Sequence, residues 1–400
     1  MKFHNLNTSV NELLDIGDQP VSNRYLLNQD DDEVQHPIVL GQCSKTGLLC
    51  LVNPLPCNKL VPKYDWITYS EPEPHLDDLV SKLLQLPGID NDTVVAGVSF
   101  KDTSTLQRLA KFGLSTWEIK ATQDLGIAEN AGVESVQAHL NTKNATNIVK
   151  KNGQVDILIV RHIAEHAYDL NEFFEALKAL VNSNGYIVLE LPDCENSLNG
   201  CDYTMLWEEH VYYFTQETLK STLSAQGFDL IDFTVYPYPM ENSLVAVVKP
   251  SDTHSSRGIR KSHDLKAEFL RATYYARQFS PIKNQVRHYF EAAVKANGKV
   301  AFFGAGHLAC TFIWSFQIHD LINVVIDDEP NKIGKFMPGS RLPIVGSHVL
   351  SDPTLKLCML SVNPLSEHKI IEKNSAFTAA GGEFLSIFPN SARSIHKYFS

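Results

Sequence analysis

The spacing of apolar residues changes character along this chain. Up to residue 75 they come in short clusters, broken by Pro20, Pro37, Pro54, Pro56, Pro62, Pro72 and Pro74 and by the acidic run Asp30-Asp31-Asp32-Glu33. That texture predicts a small irregular domain with short strands over 36–40 and 47–52. Leu76, Leu79, Leu83 and Leu84 then fall on one face of a predicted amphipathic helix over 75–86. From residue 93 short apolar runs alternate with amphipathic segments. Strands are predicted at 93–98, 115–119, 133–138, 156–160 and 185–191, and helices at 105–112, 170–181 and 215–226. Runs at 229–235 and 244–248 read as an antiparallel pair. Alternation of this kind predicts a doubly wound α/β sheet.

A polar stretch over 251–263 reads as a linker, and a helical pattern over 265–295 follows it with a break expected near Pro281. A second α/β unit opens at Lys299. Its strand over 300–303 is followed by Gly304-Ala305-Gly306, a helix over 308–316, a strand over 323–326 and then Asp327-Asp328. The predicted organisation is a small N-terminal domain over 1–75, a Rossmann-like domain over 76–250, linker and helices over 251–298, and a second Rossmann-like domain over 299–400.

Length and composition fit this plan. The 400 residues are 44% hydrophobic and 20% charged, as in an ordinary globular protein. A net charge of −11 argues against nucleic acid or an anionic membrane as partner. No apolar segment is long enough to span a bilayer and the N-terminus lacks a signal-like apolar core, so a cytoplasmic location is expected. Seven scattered cysteines with no Cys-x-x-Cys argue against a disulfide framework. Cys43, Cys50 and Cys57, spaced by seven, match no common zinc pattern.

The candidate chemistry is concentrated in residues 202–214. Glu208, Glu209 and His210 sit there among Trp207, Tyr212 and Tyr213, just beyond a predicted strand ending in Glu190-Leu191-Pro192-Asp193. A carboxylate beside an imidazole supplies a proton acceptor and a group that orients it. The carboxyl ends of strands in open α/β sheets are where ligands bind. A polar turn carrying core aromatics would show the same residues. His162, Glu165 and His166 follow another strand, but their order is not His-Glu-x-x-His, so they read as cleft-lining residues with no metal expected. Gly304-Ala305-Gly306-His307, with Asp327 at the end of the next strand, is half of a dinucleotide fingerprint. A purely structural Rossmann-like domain accounts for it equally.

Four ordered blocks resemble the nucleotide-sugar C-methyltransferases, a family of class I S-adenosylmethionine methyltransferases. They are Asp15-Ile-Gly-Asp-Gln-Pro-Val-Ser-Asn-Arg-Tyr-Leu26, the 156–193 segment, Glu209-His210 with Tyr212-Tyr213-Phe214, and Phe303-Gly-Ala-Gly306 with Val325-Ile-Asp-Asp328 and Pro338-Gly-Ser-Arg-Leu-Pro-Ile344. The resemblance implies S-adenosylmethionine as cofactor, touched by Gly97, Ser99, Glu118, His162 and Glu165. It implies a nucleotide-linked 4-keto-deoxysugar as substrate, methylated at the carbon beside the ketone. His210 is the expected base and Glu209 its partner, with Tyr69, Tyr212 or Tyr213 as oxyanion donors. Trp207, Tyr213, Gly304, Gly306, His307 and Asn363 are expected on the substrate side. Two family features are altered. The positions matching the two zinc-binding Cys-x-x-Cys pairs are His4, Asn7, Cys43 and Thr46, so no zinc is expected. The glycine-rich cofactor loop reads Val95-Ala-Gly-Val-Ser-Phe-Lys-Asp-Thr-Ser104, with Gly97 alone. A non-catalytic nucleotide-sugar-binding protein and a nicotinamide-dependent enzyme using the C-terminal domain therefore stay open as alternatives.

Overall fold

A computed structural model describes residues 10–61, 63–64, 66–67, 71–251 and 263–399. The first strands are β1 (Val10–Pro20), β2 (Gln35–Cys43) and β3 (Leu49–Leu51). Helix α1 (Leu76–Leu83) leads to β4 (Val94–Gly97), α2 (Thr103–Ala110), β5 (Ser115–Glu118), α3 (Val133–His139) and α4 (Thr142–Asn152). Next come β6 (Val155–Arg161), α5 (Leu170–Leu180), β7 (Val181–Asp193), α6 (Glu195–Gly200) and β8 (Tyr212–Tyr213). Helix α7 (Gln216–Ala225), β9 (Phe228–Tyr236), β10 (Asn242–Pro250) and the long α8 (His263–Asn297) follow. The C-terminal part adds β11 (Lys299–Phe303), α9 (His307–Ser315), β12 (Val324–Ile326), β13 (Ile344–Val345) and β14 (Leu355–Leu360). It ends with α10 (Pro364–Lys373), α11 (Ser375–Ala379) and β15 (Glu383–Ser386).

These elements form two compact units. The first comprises residues 1–12, 41–195 and 209–270, and the second 13–40, 196–208 and 271–400. Residues 13–40 fall in the second unit with the C-terminal elements.

In the first unit the six-stranded sheet has the order β5-β4-β6-β7-β10-β9. Its first four strands are parallel, and β10 runs antiparallel to both β7 and β9. Alternating side chains split the strands between two cores. Val95, Ile157 and Ile159 pack with Leu76, Leu79, Val80 and Leu83 of α1. Ala96, Leu158 and Val160 pack with Val136, Ile148, Phe173 and Leu219 from α3, α4, α5 and α7. Helices on both faces explain why β6 reads as an unbroken apolar run. The strand order reverses between β4 and β6, which opens a crevice at their carboxyl ends.

The second unit repeats the plan. Its five parallel strands have the order β13-β12-β11-β14-β15, so the reversal lies between β11 and β14. No described helix in either unit is long and apolar enough to cross a membrane.

Three expectations are corrected. The strand expected at 133–138 is helix α3, since Val133 and Val136 are buried at a spacing of three, one turn apart, after Gly132 at the N-cap. Helix α8 runs through Pro281 without the expected break. Proline cannot serve the carbonyl four residues back, but Arg277 and Pro281 are both exposed, on a face where solvent can replace that bond. Residues 10–20, expected as irregular chain, form the eleven-residue β1.

Candidate active site

The loop after β4 takes the place of a glycine-rich cofactor turn, and its own side chains hold it. Asp102 is fully buried and accepts the Val98 and Ser99 N–H groups at 2.7 and 2.9 Å, while its second oxygen accepts the Arg161 N–H at 2.8 Å. Burial pushes this carboxyl up to about 7, and those N–H groups and the Arg161 charge pull the other way. All three bonds require an acceptor, so the geometry is that of a carboxylate. Ser99 caps the turn by accepting the Lys101 N–H. Gly97 is needed for packing, since a Cβ there would lie 2.8 Å from the Asp102 Cβ and 2.9 Å from Leu106. At the tip of β5, Glu118 accepts the Thr103 hydroxyl at 2.6 Å.

A buried ionic network occupies the carboxyl ends of β6 and β7. Glu190 is fully buried and faces the Arg161 Nε at 2.5 Å, the His162 Nε2 at 3.1 Å and the His75 Nε2 at 3.2 Å, and it also accepts the Ser243 hydroxyl. Burial raises its pKa. Hydrogen bonds from His162 and His75, with the charges of His162 and Arg161, outweigh that and hold Glu190 well below the usual carboxylate range. Glu71 pairs with Lys101 at 2.5 Å. His162 adopts a left-handed backbone, φ 49°, a cost of about 1–3 kcal/mol for a non-glycine residue. Its Nδ1 lies 3.6 Å from both Glu71 and Glu165. Burial opposes its charge, but Glu71, Glu165 and Glu190 together raise its pKa well above the ordinary histidine value.

Beside this network Glu165, His166 and His210 converge, each with a ligand-type atom within 4.8 Å of the others. His166 is buried and its Nδ1 contacts the Glu209 carbonyl at 2.8 Å. Its ring meets the His210 ring edge-on, centroids 4.8 Å apart. The Tyr213 ring lies 6.4 Å from that of His210, centroid to centroid. Alternation along β8 sends its neighbour Tyr212 into the hydrophobic core, next to Phe214. The two tyrosines are held in register by β3, with Leu49 opposite Tyr213 and Cys50 opposite Tyr212.

In the second unit Gly304 has φ 107°, and a Cβ there would lie 2.6 Å from Val362 and 2.9 Å from the Ser361 carbonyl. Ala305 donates its N–H to Asp327 at 2.9 Å and accepts the Tyr25 hydroxyl at 2.6 Å. The same Asp327 oxygen also accepts the Lys332 ammonium. Gly306 is the N-cap of α9. His307 stacks on Trp207 at 4.3 Å, and burial together with the Lys332 charge lowers its pKa to about 4. Asn363 caps α10 by accepting the Leu365 N–H. Trp207 and Glu208 belong to this unit, whereas Glu209 and His210 belong to the first. Tyr69 lies outside the described residues.

The chain has recognisable relatives along most of its length. Residues 109–232 match the profile of a methyltransferase domain, and residues 261–389 match the C-methyltransferase C-terminal domain. C-methyltransferase NovU of Streptomyces niveus is 22% identical over 395 residues, covering 94% of this chain and 93% of that protein. The two matched domains and this relative support an S-adenosylmethionine-dependent methyltransferase similar to the C-methyltransferases. Among solved structures, the methyltransferase resembles 1,6-didemethyltoxoflavin-N1-methyltransferase of Burkholderia thailandensis at 12% identity and a TM-score of 0.31, over 45% of this chain and 78% of that one. Magnesium protoporphyrin IX methyltransferase of Synechocystis gives 14% identity and 0.30, over 44% and 81%.

Within this methyltransferase the residues fit the cofactor in part. Glu118, the residue expected at the cofactor ribose, accepts the Thr103 hydroxyl. The loop fits less well, since side chains fill the space that glycines leave open elsewhere. His4 and Asn7 lie outside the described residues, and the Thr46 hydroxyl accepts the Leu48 N–H. Cys43 is buried beside Cys50, whose thiol is pushed up to about 12 by burial and by Cys43. Sequence reasoning missed Glu190 and Arg161 as the hub of the network. Glu208, singled out in the sequence beside Glu209, is buried, accepts the Ser22 N–H at 2.6 Å, and is pushed up to about 7 by burial. A carboxylate inside the apolar run 186–191 was the available signal for Glu190.

Proposed function

We propose that this methyltransferase alkylates a carbon next to the ketone of a nucleotide-linked keto-deoxysugar, with His210 as the base. The observation that supports this most is the partly exposed His210 ring, 4.8 Å from the ring of buried His166 and 6.4 Å from that of buried Tyr213. The family resemblance of residues 15–26 and 303–344 supports the nucleotide-sugar substrate. S-adenosylmethionine, when bound, supplies an electrophilic methyl group, and Glu118, Ser99 and Gly97 at the β4 and β5 tips would hold it, with His162 and Glu165 beside them.

The chain's own residues do the rest. His210 takes the proton from the carbon beside the ketone, and the C–H electron pair moves into the enolate, placing negative charge on the ketone oxygen. The Tyr213 hydroxyl, on the ring 6.4 Å from His210, is the candidate donor for that oxygen. Glu209 fixes the His166 ring through its carbonyl, and its buried carboxylate favours the imidazolium formed at His210. Trp207, His307, Gly304, Gly306 and Asn363 are assigned to the nucleotide-sugar side. No observation favours the nicotinamide reading, because Asp327 already holds Ala305 and Lys332.

The test is His210→Ala on a nucleotide-linked 4-keto-deoxysugar. It is expected to lower kcat by roughly 10²–10⁴-fold with KM and the circular dichroism spectrum nearly unchanged. It should also abolish deuterium exchange at the carbon beside the ketone. Wild-type turnover in that variant would remove the base assignment.

A further inference from the structure

We infer that Glu165, His166 and His210 form a site for one divalent transition metal such as Zn²⁺ or Co²⁺, and that an ion there silences methyl transfer. The silencing rests on His210 being the base; the binding does not.

Two imidazoles and a carboxylate are a donor set that borderline metals favour, and each donor atom lies within 4.8 Å of the others. Ligands about 2.1 Å from a tetrahedral ion stand roughly 3.4 Å apart. The donors therefore close on an ion by movements of the size of a side-chain adjustment, and His210 is the partly exposed member.

The stronger evidence lies around the donors. A backbone carbonyl only accepts, so the 2.8 Å contact with the Glu209 carbonyl fixes the hydrogen on the His166 Nδ1. The tautomer with its hydrogen on Nδ1 carries its lone pair on Nε2, the arrangement in which metal-ligating histidines are held by their outer shell. Glu134, also buried, lies 3.4 Å from that Nδ1–H and reinforces it. Glu165 is 1% exposed, and its Oε2 has no hydrogen-bond partner. A buried carboxylate oxygen left unpaired is costly, and a cation removes that cost. His162 engages only the other oxygen, Oε1, at 3.6 Å.

The earlier expectation of no metal came from the N-terminal positions and from the order of His162, Glu165 and His166. It missed this set because His210 lies 44 positions beyond His166 and reaches the site through the β8 segment. With an ion bound, the His210 lone pair is in a metal bond and cannot take a proton. Metal and turnover therefore exclude one another.

The full-length protein, stripped with a chelator, is titrated with Co²⁺ and followed by visible d–d absorption. One equivalent is expected to saturate the bands. Glu165→Gln and His166→Ala, each checked for an unchanged circular dichroism spectrum, should weaken Co²⁺ by more than the roughly 10–100-fold lost with an outer-shell partner. His166→Gln serves if His166→Ala does not fold. Zn²⁺ should inhibit methyl transfer stoichiometrically, with recovery on chelation. Absence of d–d bands, bands unchanged in both variants, or thiolate charge-transfer bands lost in Cys43→Ser would overturn the site. If Co²⁺ fails to bind while His210→Ala still kills turnover, the metal inference falls and the proposed function stands. If Co²⁺ binds as expected while His210→Ala turns over normally, the site stands and the silencing falls.

Discussion

The two α/β units carry the same device at their strand-order reversals and use it differently. Each has a turn after its first central strand, and each has an acidic residue at or just beyond the tip of the neighbouring strand. In the second unit the turn keeps Gly304 and Gly306, and Asp327 reaches back to hold the Ala305 N–H. In the first the turn is filled by side chains. Asp102 takes the loop N–H groups from within the same segment, and Glu118 receives a hydroxyl from Thr103 instead of a backbone N–H. A backbone N–H held by a strand-tip carboxylate is a fixed part of the fold. A hydroxyl on a rotatable side chain is exchangeable for another hydroxyl. The loop that departs further from a glycine-rich pattern is therefore the one with a replaceable partner at its acidic residue.

The largest expected difference between the units lies behind these loops. The first unit places buried Glu190 against Arg161, His162 and His75, whereas the second places the Ser361 hydroxyl against the carbonyls of Phe303 and Gly304. Glu190→Ala leaves buried positive charge uncompensated and should cost about 3–5 kcal/mol in chemical denaturation. Because the folded pKa of Glu190 is depressed, its contribution is present above the ordinary glutamate value, about 4.3, and is lost as pH falls below that. His162 has the opposite sign. Its raised pKa stabilises the fold below about 6.5, and that contribution is lost as pH rises through the folded value. Acid loss of stability that persists undiminished in Glu190→Gln would show that the network is not its source.

Gly304→Ala comes next, with an expected loss of about 2–4 kcal/mol from backbone strain and overlap with Val362 and Ser361. Its thermal melt tests whether the second turn depends on glycine as the comparison requires. A neutral result would place the two loops on the same footing. Thr103→Ala should have the smallest effect. By releasing Glu118 from an internal hydroxyl it should tighten S-adenosylhomocysteine by about 0.5–1.5 kcal/mol, the net worth of one hydrogen bond. Weaker binding would make Thr103 part of the cradle and not a stand-in.

What could be read from the sequence follows the range of the signals involved. Strands and helices of the first unit carry periods of two and 3.6 over several residues, so β4, β6, α5 and α7 appear within a residue or two of their expected places. The 133–138 segment misled because two valines suit strand or helix, and only their spacing of three separates the two. Pro281 misled because its effect depends on whether residue 277 faces water, which no local pattern states. At the site, Glu209-His210 was visible as adjacent unlike chemistry. The union of His210 with Glu165 and His166, and of Glu190 with His75, joins residues 44 and 115 positions apart. Such contacts depend on strand order and are absent from any local window.

The central claim is that the cofactor is held by the first unit, although its loop has been rewritten, and not by the glycine turn of the second. Calorimetric titration with S-adenosylhomocysteine tests it directly on wild type, Glu118→Ala and Asp327→Ala. We predict saturable binding at one per chain, weakened by about 1.5–3 kcal/mol in Glu118→Ala and unchanged in Asp327→Ala. No heat at millimolar ligand, or a loss in Asp327→Ala with Glu118→Ala unaffected, would contradict the account.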